Sequence, residues 1–524
     1  MVLLNGWEII ILERNMKNEC IRVGALAGRR LATAMVTVMG CWLLWSCASG
    51  PENPVPTDQL PKIYPDYVGV TIPTGIAPLN FNLIDEEIDQ VDVVVKGSKE
   101  GEIHAQGDYA DFDVDDWHLL TEQNKGGQLV FSVCAKKDGQ WVKYKDFTVR
   151  VSQYALDEWG LTYRRIAPGY EVYSKMGLYQ RDLSNFEEYA IIENTQVPGM
   201  CVNCHSSAQT DPSKFVFHIR GDHGATLFQI DGKRELLKAK NDLLGGSMVY
   251  PYWHPSGEYC AFSTNQTRQG FHIAHQNRIE VFDLSSDILV YHPATHEVLT
   301  DSLISTKDWS ENTPVFSPDG KTLYFMTCKQ QEYPAHYQDE QYNLCKIDFD
   351  PAKGTFGEKV DTIFNAVKSG KSLTWPRPSY DGKYILFTLM DYGYFSIWHQ
   401  ESDQWLLDLR TGEARPLTEI NSNRADSFHN WNVNSRWIVF TSRRGDGLYS
   451  HLYLSCIDDQ GHFSKPFLLP QRNPMKYYDS SLYSFNTPDF TKTKVSFDAY
   501  HAGKEILSND RVETTVKNTA KDSD

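Results

Sequence analysis

The sequence contains no Gly-x-Ser-x-Gly, no His-Glu-x-x-His and no phosphate-binding glycine loop, so hydrolase, zinc-protease and nucleotide-binding readings lack their residues. Positive charge is scarce. Fifty-one Lys and Arg against 68 Asp and Glu give a formal charge of −17, which repels phosphate backbones and argues against nucleic acid as a partner. Long low-complexity tracts are absent, so disorder is confined to short segments. The N-terminal apolar run, Leu31 to Ser46, is 16 residues long. That falls short of the ~20 residues a membrane-spanning helix needs.

That run is preceded by Lys17, Arg22, Arg29 and Arg30 and followed by Cys47, the order of an export signal. Leu44, Trp45, Ser46 and Cys47 resemble the lipobox of bacterial lipoproteins. The resemblance implies a leader over residues 1–46, lipid on Cys47 and membrane attachment through that lipid. Ala48, where an inner-membrane lipoprotein carries Asp, implies delivery to the outer membrane of a Gram-negative envelope, facing the periplasm or the surface. Of ten cysteines, Cys20 and Cys41 would leave with the leader and Cys47 would carry lipid, leaving seven in an oxidising compartment.

A proline-rich tether is expected over 47–62. Short β-rich runs separated by Gly, Asp and Lys turns then predict a β-sandwich-like domain over 63–155. The segment 156–213 mixes helical spacing with loop signals and is expected to be short and helical. Beyond it "YPYWHPSGEYCAFST", "TPVFSPDGKTLYFMT", "WPRPSYDGKYILFTL" and "FHNWNVNSRWIVFTS" align on one turn, with Gly257, Gly320, Gly382 and Ser435 at the same place. A shortened copy starts at Thr487. Multi-strand repeats of this length read as propeller blades. Ser317, Pro318, Asp319 and Gly320 resemble the WD40-like repeat of the TolB family of periplasmic β-propellers. The expected fold is therefore mainly β: a β-sandwich-like domain, a helical segment, and a propeller over 214–505 of five or six blades, six favoured. A disordered tail is expected over 506–524.

One cysteine pair is close. Cys201, Val202, Asn203, Cys204 and His205 spell C-x-x-C-H, in which two thiols join the haem vinyl groups and the histidine binds the iron. A thioredoxin-like pair lacks its βαβ context, zinc lacks further ligands at such spacing, and a structural disulfide leaves His205 unexplained. One covalent haem c held by Cys201, Cys204 and His205 is the expectation. For the other iron face His223 is placed first, because Gly221 and Gly224 would let its turn approach a flat cofactor. His218 and Met176 are alternatives, with His254 and His272 more distant. Cys328 and Cys345 are candidates for a disulfide across neighbouring strands.

These residues together predict a non-enzymatic mono-haem cytochrome that relays electrons to envelope redox partners, while the propeller docks other envelope proteins. Two other readings stay open. One is a redox enzyme with a second cofactor on the propeller, as in the cytochrome cd-type nitrite reductases; the other is a haem-containing sensor or assembly scaffold.

Overall fold

In a computed structural model the protein is described over residues 50–84, 88–167, 175–238 and 247–518. Cys47 and the expected leader over residues 1–46 lie outside the described residues. The sheets and helices belong to the compact unit Val55–Asp524.

Six sheets of four or five strands, each with an antiparallel four-stranded core, follow one another, and their innermost strands touch in a closed ring. Blades 2 to 6 begin on Cys201–Ala208, Ser247–Trp253, Trp309–Phe316, Ser372–Pro378 and Asp426–Trp431. Blade 1 is composite. Its outer strands are Gly160–Ile166, Met176–Asp182 and Glu188–Glu193, and its innermost strand, Ser484–Thr491, comes from the far end of the chain. The shortened repeat at Thr487 is this closing strand. Six blades were favoured from sequence, and six are present.

The propeller starts at Gly160, and the segment expected to be helical is strand. The reason is burial on both faces. Leu161, Thr162 and Tyr163 are all buried, so the run shows no alternation and resembles a helix to a periodicity test.

The repeated turn is built as its residues demand. Ser317 Oγ donates to Asp319 Oδ1 at 2.6 Å and accepts from Thr322 N at 3.0 Å, while Gly320 takes φ +71°. Ser379, Asp381 and Gly382 repeat the arrangement in blade 5, and Ser435 takes φ +59° in blade 6. His254 reaches from the turn of blade 3 to the Gly320 carbonyl at 3.0 Å, so neighbouring turns lock together. Tryptophans lock the inner strands. Trp375 Nε1 donates to the His429 carbonyl and Trp431 Nε1 to the Arg377 carbonyl, both at 3.1 Å.

The N-terminal region is a forked seven-stranded sheet with a helix and a two-stranded ribbon, Ile63–Tyr64 with Asn82–Leu83, where two facing sheets were expected. Strand Gln128–Lys137 pairs along its length with Ile88–Gly97; on its other edge residues 128–131 pair with Phe147–Val151, and residues 134–137 with Gln140–Lys143. Helix Val114–Gln123, capped by Asp113, buries Trp117, Leu120 and Thr121. This core is continuous with Trp437, Val439 and Phe485 of the propeller, so no second sheet is needed to cover it.

The expected disordered tail is ordered through residue 518. Helix Ala499–Ser508 ties to blade 2 through the Arg234–Glu505 pair, and Thr515–Asn518 adds a parallel fifth strand to blade 3. Its polar composition hid this, because the segment covers existing sheet edges with backbone bonds and needs few apolar side chains.

Candidate functional site

Each innermost strand carries one bulge, where the ladder skips two residues. The first of the two is left-handed in every blade: Thr487, Cys204, Tyr250, Thr313, Trp375 and Phe428, with φ between +43° and +56°. The second is Pro488, His205, Pro251, Pro314, Pro376 and His429. Proline suits a position whose amide is outside the ladder. The Cys204–His205 dipeptide of the C-x-x-C-H string therefore occupies the bulge that proline fills in four of the blades.

The bulge decides where the thiols point. In a regular strand residues three apart face opposite sides. The left-handed turn at Cys204 resets that alternation, and Cys201 and Cys204 line the same cavity of about 430 Å³ at the channel mouth. Met176 lines it as well. Arg164 Nη2 lies 3.4 Å from Met176 Sδ and 3.5 Å from Cys201 Sγ, so one guanidinium nitrogen touches both sulfurs. Both cysteines are free thiols. Burial pushes the Cys204 thiol up, against the pull of Arg220.

His205 turns the other way. Its Nε2 bonds Thr162 Oγ1 of blade 1 at 3.0 Å, its ring lies 6.1 Å from that of Phe215, and its Nδ1 is buried without a partner. Burial holds its pKa down at about 4. It lines a neighbouring space of about 40 Å³ together with Arg377 and Asp489, a space that Cys204 also borders.

The histidines chosen for the other iron face are also elsewhere. His223 Nδ1 bonds Asn509 at 2.9 Å and its carbonyl accepts from Arg511, so the C-terminal segment holds it away from the cavity. The close approach expected of its turn is real but made to backbone: a Cβ on Gly221 would lie 2.3 Å from the Gly199 carbonyl oxygen. His218, the first alternative, is buried against Thr226 at 3.1 Å, with its pKa held near 3 by burial. His254 joins neighbouring blade turns, and His272 pairs with Glu280 at 3.2 Å. Cys328 and Cys345 are free: Cys345 registers with Phe325, three residues from Cys328.

A c-type haem fits these residues in part. Two thiols and a thioether on one cavity match its attachment and a soft iron ligand, whereas His205, in this arrangement, does not face that cavity. Sequence reading missed the cavity's arginines, Arg164, Arg220, Arg268 and Arg443. Only Arg220 carried a signal, two residues from His218 in the strand "FHIR".

No known family profile matches the chain, and no curated protein does either. Among solved structures, TolB from Acinetobacter baumannii is 14% identical with a TM-score of 0.39, covering 72% of this chain and 86% of its own. A putative TolB from Agrobacterium tumefaciens is 12% identical with a TM-score of 0.35, over 64% of this chain and 99% of its own. Prolyl oligopeptidase B from Galerina marginata is 12% identical with a TM-score of 0.34, over 59% of this chain and 44% of its own. The six-blade assignment rests on the strand pairing itself.

Proposed function

We propose that the protein is a lipid-anchored propeller of the Gram-negative outer membrane that carries one haem c at its channel mouth. In this reading it relays single electrons to envelope redox partners, and its broad propeller face docks other envelope proteins. The observation that carries the reading is the convergence of Cys201, Cys204 and Met176 on one cavity. Cys201 and Cys204 would hold the haem, and the Met176 sulfur is the iron ligand the cavity offers. A haem there would supply one-electron chemistry at iron, with a potential set by its ligands and burial. The acidic surface argues against a nucleic-acid role.

The test is the full chain co-expressed with haem-attachment machinery and read by a pyridine haemochrome assay. One covalent haem per chain is expected, and none in Cys201→Ser/Cys204→Ser. A wild-type chain that matures without covalent haem overturns the reading. Acid acetone then separates this reading from the enzymatic one, since extraction of a second, non-covalent chromophore would mark a propeller enzyme.

A further inference from the structure

The channel-mouth cavity is electrostatically unlike the rest of this acidic protein. Four arginines line it, Arg164, Arg220, Arg268 and Arg443, and among the described residues no Asp or Glu does. Elsewhere six described arginines are ion-paired, among them Arg165 with Glu188, Arg234 with Glu505, Arg410 with Asp408 and Arg444 with Asp426, whereas buried Arg181 and Arg377 are not. Among the described residues none of the four cavity arginines makes an ion pair.

Arg443 is the most telling. It is 6% exposed, its guanidinium carbon sits 3.7 Å above the Trp398 ring, and its Nε has no partner. Burial, reinforced by Arg278, pulls its pKa down to about 9, against the field of Asp446. Asp446 itself is engaged by the Leu448 and Tyr449 amides. Arg164 Nε is likewise buried without a partner. Asp283, whose field reaches Arg220, is held by Asn265 and Asn312 and does not line the cavity. Buried cations without a counter-charge are costly, and the cost is removed by an anion that arrives with its ligand. Trp398 and Phe428 complete the wall with flat apolar surface.

We propose that this cavity is a binding site for a flat, apolar ligand bearing two carboxylates, with the arginines holding the carboxylates and the aromatic rings its body. The site goes beyond the haem reading and stands without it, because the thiols take no part in holding the anion. Guanidinium forks recognise carboxylates through paired, charge-assisted hydrogen bonds, which gives the site its preference for the acid over a neutral ester.

The experiment uses the full chain carrying Cys201→Ser and Cys204→Ser, made without haem-attachment machinery, titrated calorimetrically with naphthalene-2,6-dicarboxylate and its dimethyl ester. The acid is expected to bind at least about tenfold more tightly than the ester and to weaken with salt. Arg443→Gln, Arg220→Gln and Arg268→Gln are each expected to weaken the acid by about tenfold, with Arg410→Gln neutral. Arg268 is exposed, so its variant is expected to keep the fold even where Arg443→Gln does not. No binding of the acid, equal binding of acid and ester, or indifference of the acid to Arg220→Gln and Arg268→Gln overturns the proposal. The haem reading fails separately: a negative haemochrome with a bound dicarboxylate leaves this site standing.

Discussion

Blades 2 and 5 are four-stranded, antiparallel and bulged at the same place, yet the bulge holds Cys204–His205 in one and Trp375–Pro376 in the other. Proline costs the scaffold nothing there, because no ladder amide is lost. Histidine brings a buried ring that needs a partner, and Thr162 supplies one. The repeat fixes the backbone at the bulge and leaves its chemistry open. Cys204 borders both spaces while His205 lines only the smaller one, so adjacency in the string "CVNCH" does not bring the histidine into the cavity that the two thiols share.

The largest expected difference between the blades is in stability. Trp375 is 7% exposed and bonded through Nε1 to the His429 carbonyl. Trp375→Ala is expected to cost roughly 3–5 kcal/mol in denaturant melts. Cys204→Ala, at the same bulge, should cost under about 1 kcal/mol, since it removes one atom facing a cavity. Equal losses would mean the bulge residue serves the scaffold alike in both blades.

Next in size is Met176→Ala, expected to cost about 2–4 kcal/mol because the side chain is 3% exposed. In haem-loaded protein the same change should convert low-spin iron to a high-spin or exchangeable form, while His223→Ala and His218→Ala leave the spectrum unchanged. A spectrum that follows His223 instead would restore the sequence-based choice.

The acid limb of stability comes third. His205 has a folded pKa of about 4, below the ordinary value of 6.5, so the unfolded chain binds its proton first. Its contribution is complete above pH 6.5 and is lost as pH falls toward 4, by up to about 3 kcal/mol. Buried Glu311 and Glu340, pushed up to about 8, act with the opposite sign: their contribution is complete below pH 4.5 and is lost as pH rises from there to about 8. His205→Pro should therefore remove its share of the acid loss between pH 6.5 and 4 and leave the dependence between pH 6.5 and 8 unchanged. An unchanged acid limb would place the titration on other buried histidines.

The smallest effect is His205→Pro at neutral pH. The lost Thr162 bond costs about 1 kcal/mol, and the stiffer unfolded chain returns roughly half to all of it. A loss of several kcal/mol would show that blade 2 demands histidine where blade 5 takes proline.

Much of the propeller was legible because its turns are written in residues that little else explains. Ser317, Asp319 and Gly320 can be read off the sequence since each has one local task. Blade 1 was hidden for two reasons. Its strands are buried on both faces and so lose their period, and its fourth strand lies more than 300 residues away. The thiols of the candidate site were legible as a pair, but their shared cavity was not, because it depends on a left-handed residue at Cys204 where no glycine marks it. The arginine wall was invisible for a different reason: an arginine without a carboxylate looks like any other until the fold shows what surrounds it.

The composite blade has a consequence for how the molecule is made. Until residue 491 has emerged, Gly160–Ile166 presents a bare sheet edge, and the same closing strand from any other copy would fit it in the same register. A crowded population of incomplete chains is thus at risk of exchanging closing strands and linking rings into swapped oligomers. Completion of the ring is a race between a strand's own delivery and its neighbour's, which dilution favours and overexpression does not.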